Sequence, residues 1–108
     1  MSISEKQFKV VFTNDCIDEI NQIYDYISKK LYAPNSAKKI MMKIDNAIQS
    51  LKNMPELYSV IKKYPELNRE YRRIVIKNYV LLYTISKKEN TIYIVHMFYG
   101  RSNYFNKI

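Results

Sequence analysis

One cysteine, one histidine and one glycine are all that the chain offers of these three residue types, and each scarcity closes off a chemistry. Cys16 has no partner for an intrachain disulfide, which suits a reducing compartment. Cys16 and His96 together fall short of the ligand set of a zinc site, so neither a metal nor any other cofactor is expected. Gly100 alone cannot form the glycine-rich loop that cradles a phosphate. Long hydrophobic runs are lacking too. The run from Tyr79 to Ile85 is well under the roughly 20 residues of a membrane-spanning helix. The opening segment MSISEKQFKV has no apolar leader stretch. The expectation is a cytoplasmic protein with no membrane partner.

What is present is globular. Hydrophobic residues make up 47% and charged residues 26%, enough apolar surface for a single domain over residues 1–108 without a staple. The net charge of +8 is uneven: residues 1–54 contribute +2 and residues 55–108 contribute +6, and eight of the eleven tyrosines lie in the second half. Cations neutralise phosphates and aromatic faces stack on bases, so this mixture suits nucleic acid. It suits an acidic protein partner equally well.

Phe8 to Phe12 (FKVVF) is β-branched and aromatic, as a strand requires. Thr13 or Asn14 can cap a following helix, with Asp15, Asp18 and Glu19 near its positive end. Ile17, Ile20, Tyr24, Ile27 and Leu31 then recur at helical spacing, and Ala33-Pro34-Asn35 interrupts them. A second stripe runs through Ala37, Ile40, Met41, Ile44, Ile48 and Leu51 and stops before Pro55. So short a connector makes the two helices an antiparallel hairpin. Residues 55–70 carry two prolines and no sustained period, which reads as loop. Tyr71 to Ile76, Tyr79 to Ile85 and Thr91 to Tyr99 read as three strands, joined by a tight turn at Lys77-Asn78, with Asn the residue tolerant of positive φ, and by a second turn over Ser86 to Asn90. The order βααβββ gives an α+β domain with the helical hairpin packed on a small antiparallel sheet.

That order, with the segments EYRRIVIKNYVLLYTI and IYIVHMFYGRSNY and the first-helix run DEINQIYDYI, resembles the RelE/ParE superfamily of type II toxin-antitoxin toxins. The resemblance covers Phe8 to about Tyr104. The tyrosine-arginine pair entering a strand is Tyr71-Arg72-Arg73, the strand ending in an aromatic is Val80-Leu81-Leu82-Tyr83, and the basic tail begins at Tyr99-Gly100-Arg101. It implies a bacterial growth inhibitor held in a hetero-oligomer by a ParD- or RelB-like antitoxin. An antitoxin segment is expected to fold on docking against the meander and helical hairpin, and complementarity to the basic charge predicts that it is acidic and associates more slowly as salt rises.

The superfamily has two chemistries. RelE-like members cut messenger RNA on the ribosome, whereas ParE-like members, the plasmid-stabilisation branch, are not nucleases and poison DNA gyrase. Ribonuclease members tend to place arginine directly after the tyrosine that opens the third strand, and here that residue is Val80. Losing one such cation removes about 3–4 kcal/mol of transition-state stabilisation, by analogy with an oxyanion donor. The resemblance therefore points to the ParE branch and away from an enzyme, with Arg73, Tyr99, Arg101 and Tyr104 contacting the target. On the ribonuclease reading the catalytic set is Arg73, Lys77, Arg101 and Tyr104. A third reading is a non-toxic basic module that binds nucleic acid or protein. Arg72 and Arg73 alternate across their strand, so one alone faces a given partner. His96 reads as a half-exposed strand residue, Cys16 as a small core residue, and Tyr79 and Tyr83 as sheet packing.

Overall fold

The computed structural model describes residues 7–100. They form β1 (Lys9–Phe12), α1 (Asn14–Asp25) running on into a π-helical turn (Tyr26–Lys30), α2 (Pro34–Asn53) and β2 (Val60–Tyr64). A 3-10 turn (Pro65–Leu67), β3 (Arg69–Ile76), β4 (Tyr79–Ser86) and β5 (Thr91–Tyr99) complete them. Among the described residues no helix is long and apolar enough to cross a membrane.

The α+β class and the helical hairpin stand as expected, and the sheet is larger and mixed. Its order is β1-β5-β4-β3-β2. β2 to β5 form an antiparallel meander, while β1 lies parallel to β5 from Lys9↔Thr91 to Phe12↔Ile94. The additional strand, β2, falls in the stretch read as loop. Its pairing passes from Val60↔Arg72 to Lys62↔Tyr71, and this bulge breaks the two-residue period by which a strand is recognised. β2 is also an edge strand, where lysines are common because they discourage pairing with other chains.

Thr13 fixes the start of α1. Its Oγ1 accepts the Cys16 N–H at 3.2 Å and donates to the Val95 carbonyl at 3.0 Å, hooking the helix to β5. From this start Cys16, Ile20, Ile23, Tyr24 and Ile27 face the core. Ile17 and Leu31, expected on the same stripe, are 43% and 54% exposed. Cys16 holds the place assigned to Ile17. Leu31 is rotated away because the last turn widens, its N–H reaching back to the Tyr26 carbonyl at 3.1 Å. On α2, Ala37, Ile40, Ile44, Ile48 and Leu51 are buried as their spacing requires.

The sheet face toward the helices packs Ile74, Leu81, Tyr83, Ile92, Ile94 and Met97. The opposite face holds a smaller cluster of Val80, Leu82 and Phe98, flanked by Ile61 and Val95. Arg72 lies on the helix side of β3 and clamps the segment after α2. It donates to the carbonyls of Tyr58 at 2.6 Å and Glu56 at 3.3 Å, and its guanidinium lies 3.5 Å from the Glu70 carboxylate. Tyr83 adds a bond from its hydroxyl to the Pro55 carbonyl at 2.8 Å. Arg72 is therefore spent on the fold, and Arg73 is the arginine on the outer face.

Candidate functional site

The β3–β4 turn places the expected site residues. Ile76 pairs with Tyr79, leaving Lys77 and Asn78 as a two-residue turn. The left-handed residue is Lys77, with φ 54°, rather than Asn78. Asn78 serves the site differently, because its carbonyl accepts the Gly100 N–H at 2.6 Å and holds the end of β5 against the turn. A Cβ at position 100 would lie 3.0 Å from that carbonyl oxygen, which is why the only glycine stands there.

This closure brings Arg73, Lys77, Tyr99 and Gly100 around one depression of about 420 Å³, with Val75 and Val80 also lining it. Val75 and Val80 are directly paired across this two-residue turn, and Val80 is 5% exposed. Arg101 and Tyr104, the other two expected residues, lie outside the described residues. The Tyr99 ring meets Tyr79 edge-on at 5.9 Å. Burial pushes the Tyr79 phenol above its usual range, with Tyr26 and Tyr99 adding to the effect. The depression thus offers the cations of Arg73 and Lys77 beside Val75 and Val80, while the Tyr79 and Tyr99 rings turn to the helix side of the sheet, and it is suited to holding an anionic or amide surface. Among the described residues its lining contains no carboxylate and no imidazole.

His96 is engaged elsewhere. Its Nδ1 lies 3.1 and 3.2 Å from the two carboxylate oxygens of Glu19, and its ring stacks on Phe98 at 5.1 Å. Glu19 also accepts the Met97 N–H at 2.9 Å. β1 stops at Phe12↔Ile94, so α1 takes over the flank of β5 beyond that point, and Glu19 supplies the acceptor that a neighbouring strand would have supplied. Between α1 and the end of β5 lies a cleft of about 860 Å³, with Asp15, Asp18 and Glu19 on its helical side and Tyr26, Tyr79 and Tyr99 among its aromatic lining. This acidic lip stands out against the net charge of +8. Asp18 and Glu19 read as dipole partners of the helix start, and nothing in their spacing indicates a strand far along the chain.

Cys16 is fully buried, and burial, with Glu19 nearby, pushes its thiol up to about 12, so it is no nucleophile. Among the described residues no three His, Cys, Asp or Glu side chains are grouped to hold a metal ion.

Comparison with known proteins adds the following. The family model described as the ParE toxin of the type II toxin-antitoxin system, parDE, matches residues 10–104. No curated protein matches the sequence significantly. Among solved structures, the fold is similar to the chromosomal ParDE system from P. aeruginosa, with TM-score 0.65, 14% identity, and 86% of this chain and 96% of that chain covered. It is similar to the archaeal RelE-RelB complex from Pyrococcus horikoshii OT3, with TM-score 0.57, 15% identity and 89% and 99% covered. The RelBE2 toxin-antitoxin complex from Mycobacterium tuberculosis gives 0.56, 18% identity and 86% and 98%.

Proposed function

This chain belongs to the ParE toxin family of type II toxin-antitoxin systems, and we propose that it arrests bacterial growth by poisoning DNA gyrase until a cognate antitoxin neutralises it. The observation that carries the choice of target is Val80. It occupies the position where ribonuclease relatives tend to hold an arginine, and it is buried opposite Val75 in the floor of the Arg73–Lys77–Tyr99 depression. Phosphodiester cleavage needs a proton acceptor, a proton donor and cationic stabilisation. Around this depression the described side chains supply cations but no carboxylate or imidazole, and His96 is held by Glu19 on the flank of β5. Recognition of a protein surface needs no such set. Arg73 and Tyr99, with Arg101 and Tyr104 following, are the target-contacting residues.

An antitoxin partner is supported by the solved relatives, which include toxin-antitoxin complexes. The cleft between α1 and β5 suits a segment that folds as it docks. Its acidic side favours cationic side chains from that segment, while the basic meander favours acidic ones.

The test is induction of the gene alone in a bacterial host, with DNA breakage and protein synthesis followed together. The expected result is growth arrest with DNA breaks, relieved by co-expression of the neighbouring gene. Arrest through codon-phased messenger RNA cleavage would transfer the function to the ribonuclease reading, with Arg73, Lys77, Arg101 and Tyr104 as the set to mutate. Normal growth with abundant protein would remove the toxin activity altogether.

A further inference from the structure

The β2–β3 ribbon at the edge of the sheet carries a second surface. On β3, Glu70, Arg72 and Ile74 alternate toward the helices, so Arg69, Tyr71 and Arg73 point to the other face. β2 presents Lys62 opposite Tyr71 and Tyr64 opposite Arg69, and paired residues share a face. The Tyr64 and Tyr71 rings meet edge-to-face with centroids 5.9 Å apart, and the Lys62 ammonium stands 5.3 Å from the Tyr64 centroid. Neither ring belongs to the two apolar clusters found among the described residues. Glu70 pairs with Lys63 and Arg72, and Glu66 sits in the turn beyond the ribbon's end.

Two rings fixed against each other and flanked by Lys62 and Arg69, on a strand with no outer neighbour among the described residues, make a platform that core packing does not explain. We propose that this ribbon face binds single-stranded nucleic acid, with Tyr64 and Tyr71 stacking on bases while Lys62 and Arg69 contact the adjoining phosphates. Stacking is sequence-tolerant because every base has an aromatic face, so the site selects for exposed bases rather than for a sequence. A duplex hides those faces and is the poorer ligand. The proposal does not depend on gyrase being the target.

The test is fluorescence anisotropy of the full chain with a labelled oligo-thymidine strand of about 16 nucleotides, alongside oligo-uridine and a duplex of equal length. Tyr71→Leu and Arg69→Glu should each raise Kd about tenfold, and Arg69→Glu should also flatten the salt dependence. Lys38→Glu, an equal charge change on α2, should leave Kd within about twofold. The ratio of thymidine to uridine affinity tells whether DNA or RNA is the natural strand. If Tyr71→Leu lowers the melting temperature, Arg69→Glu against Lys38→Glu decides. Equal losses for those two, or displacement of the strand by poly-glutamate at matched charge, would overturn the proposal in favour of unspecific attraction or an acidic protein. Because no gyrase is present, failure here leaves the toxin reading untouched.

Discussion

The Glu19 carboxylate accepts the main-chain N–H of Met97 at 2.9 Å, joining α1 to a strand 78 residues further along the chain. A buried N–H without an acceptor costs about 1–3 kcal/mol. Glu19→Ala should therefore lower stability by roughly that amount. Glu19→Gln, which keeps an oxygen acceptor, should lose less, and Asp18→Ala should change stability by under about 0.5 kcal/mol. Urea unfolding of the three variants checks this. Coincident midpoints would mean that the contact contributes nothing.

The two neighbouring arginines should separate fold from function. Arg72→Ala frees the Tyr58 and Glu56 carbonyls and should lower stability by about 1–3 kcal/mol. Arg73→Ala should leave the melting temperature near that of the parent and weaken growth arrest. Thermal melts paired with induction assays give both readings, and a reversed pattern would exchange the roles assigned here.

Lys77 occupies the left-handed region at φ 54°, where a residue with a Cβ is strained by about 1–2 kcal/mol. Part of that gain is offset by the greater freedom of glycine when unfolded, so Lys77→Gly should stabilise by roughly 0.5–1 kcal/mol. It also removes a cation from the depression. A higher melting temperature combined with weaker toxicity is the expected pair of results, and stability gained with toxicity unchanged would exclude Lys77 from the target contact.

Burial raises the Cys16 thiol from 9.0 to about 12 and the Tyr83 phenol from 10.0 to about 12. Raised folded values mean that the native state holds its protons where the unfolded chain gives them up. Both contributions are complete below about pH 9 and fade as pH climbs to about 12. Stability measured across that window should fall, and Cys16→Ala should flatten the lower part of the slope. An unchanged slope would show that the thiol ionises freely in the folded protein.

The elements that sequence alone made legible are those with local signals: the α2 stripe from Ala37 to Leu51 and the Lys77-Asn78 turn. β2 was missed because its bulge and its lysines erase the alternation. The facing of α1 was misread at Ile17 and Leu31, since a helix cap and a widened last turn shift the stripe without altering its spacing. Arg73, Lys77 and Tyr99 are expected together from residue type alone, and the hairpin with the Gly100 closure is what gathers them around one depression. The Glu19 contact with Met97 was not recognisable. It depends on where β1 ends, which decides which part of β5 is left for a side chain to satisfy.

The target is tested most directly by a supercoiling and cleavage assay with purified DNA gyrase, the purified chain and its antitoxin. The account predicts that the chain blocks supercoiling and accumulates cleaved DNA, that Arg73→Ala weakens the effect, and that antitoxin added beforehand abolishes it. Unimpaired gyrase, at concentrations where the same preparation cuts ribosome-bound messenger RNA, would contradict it.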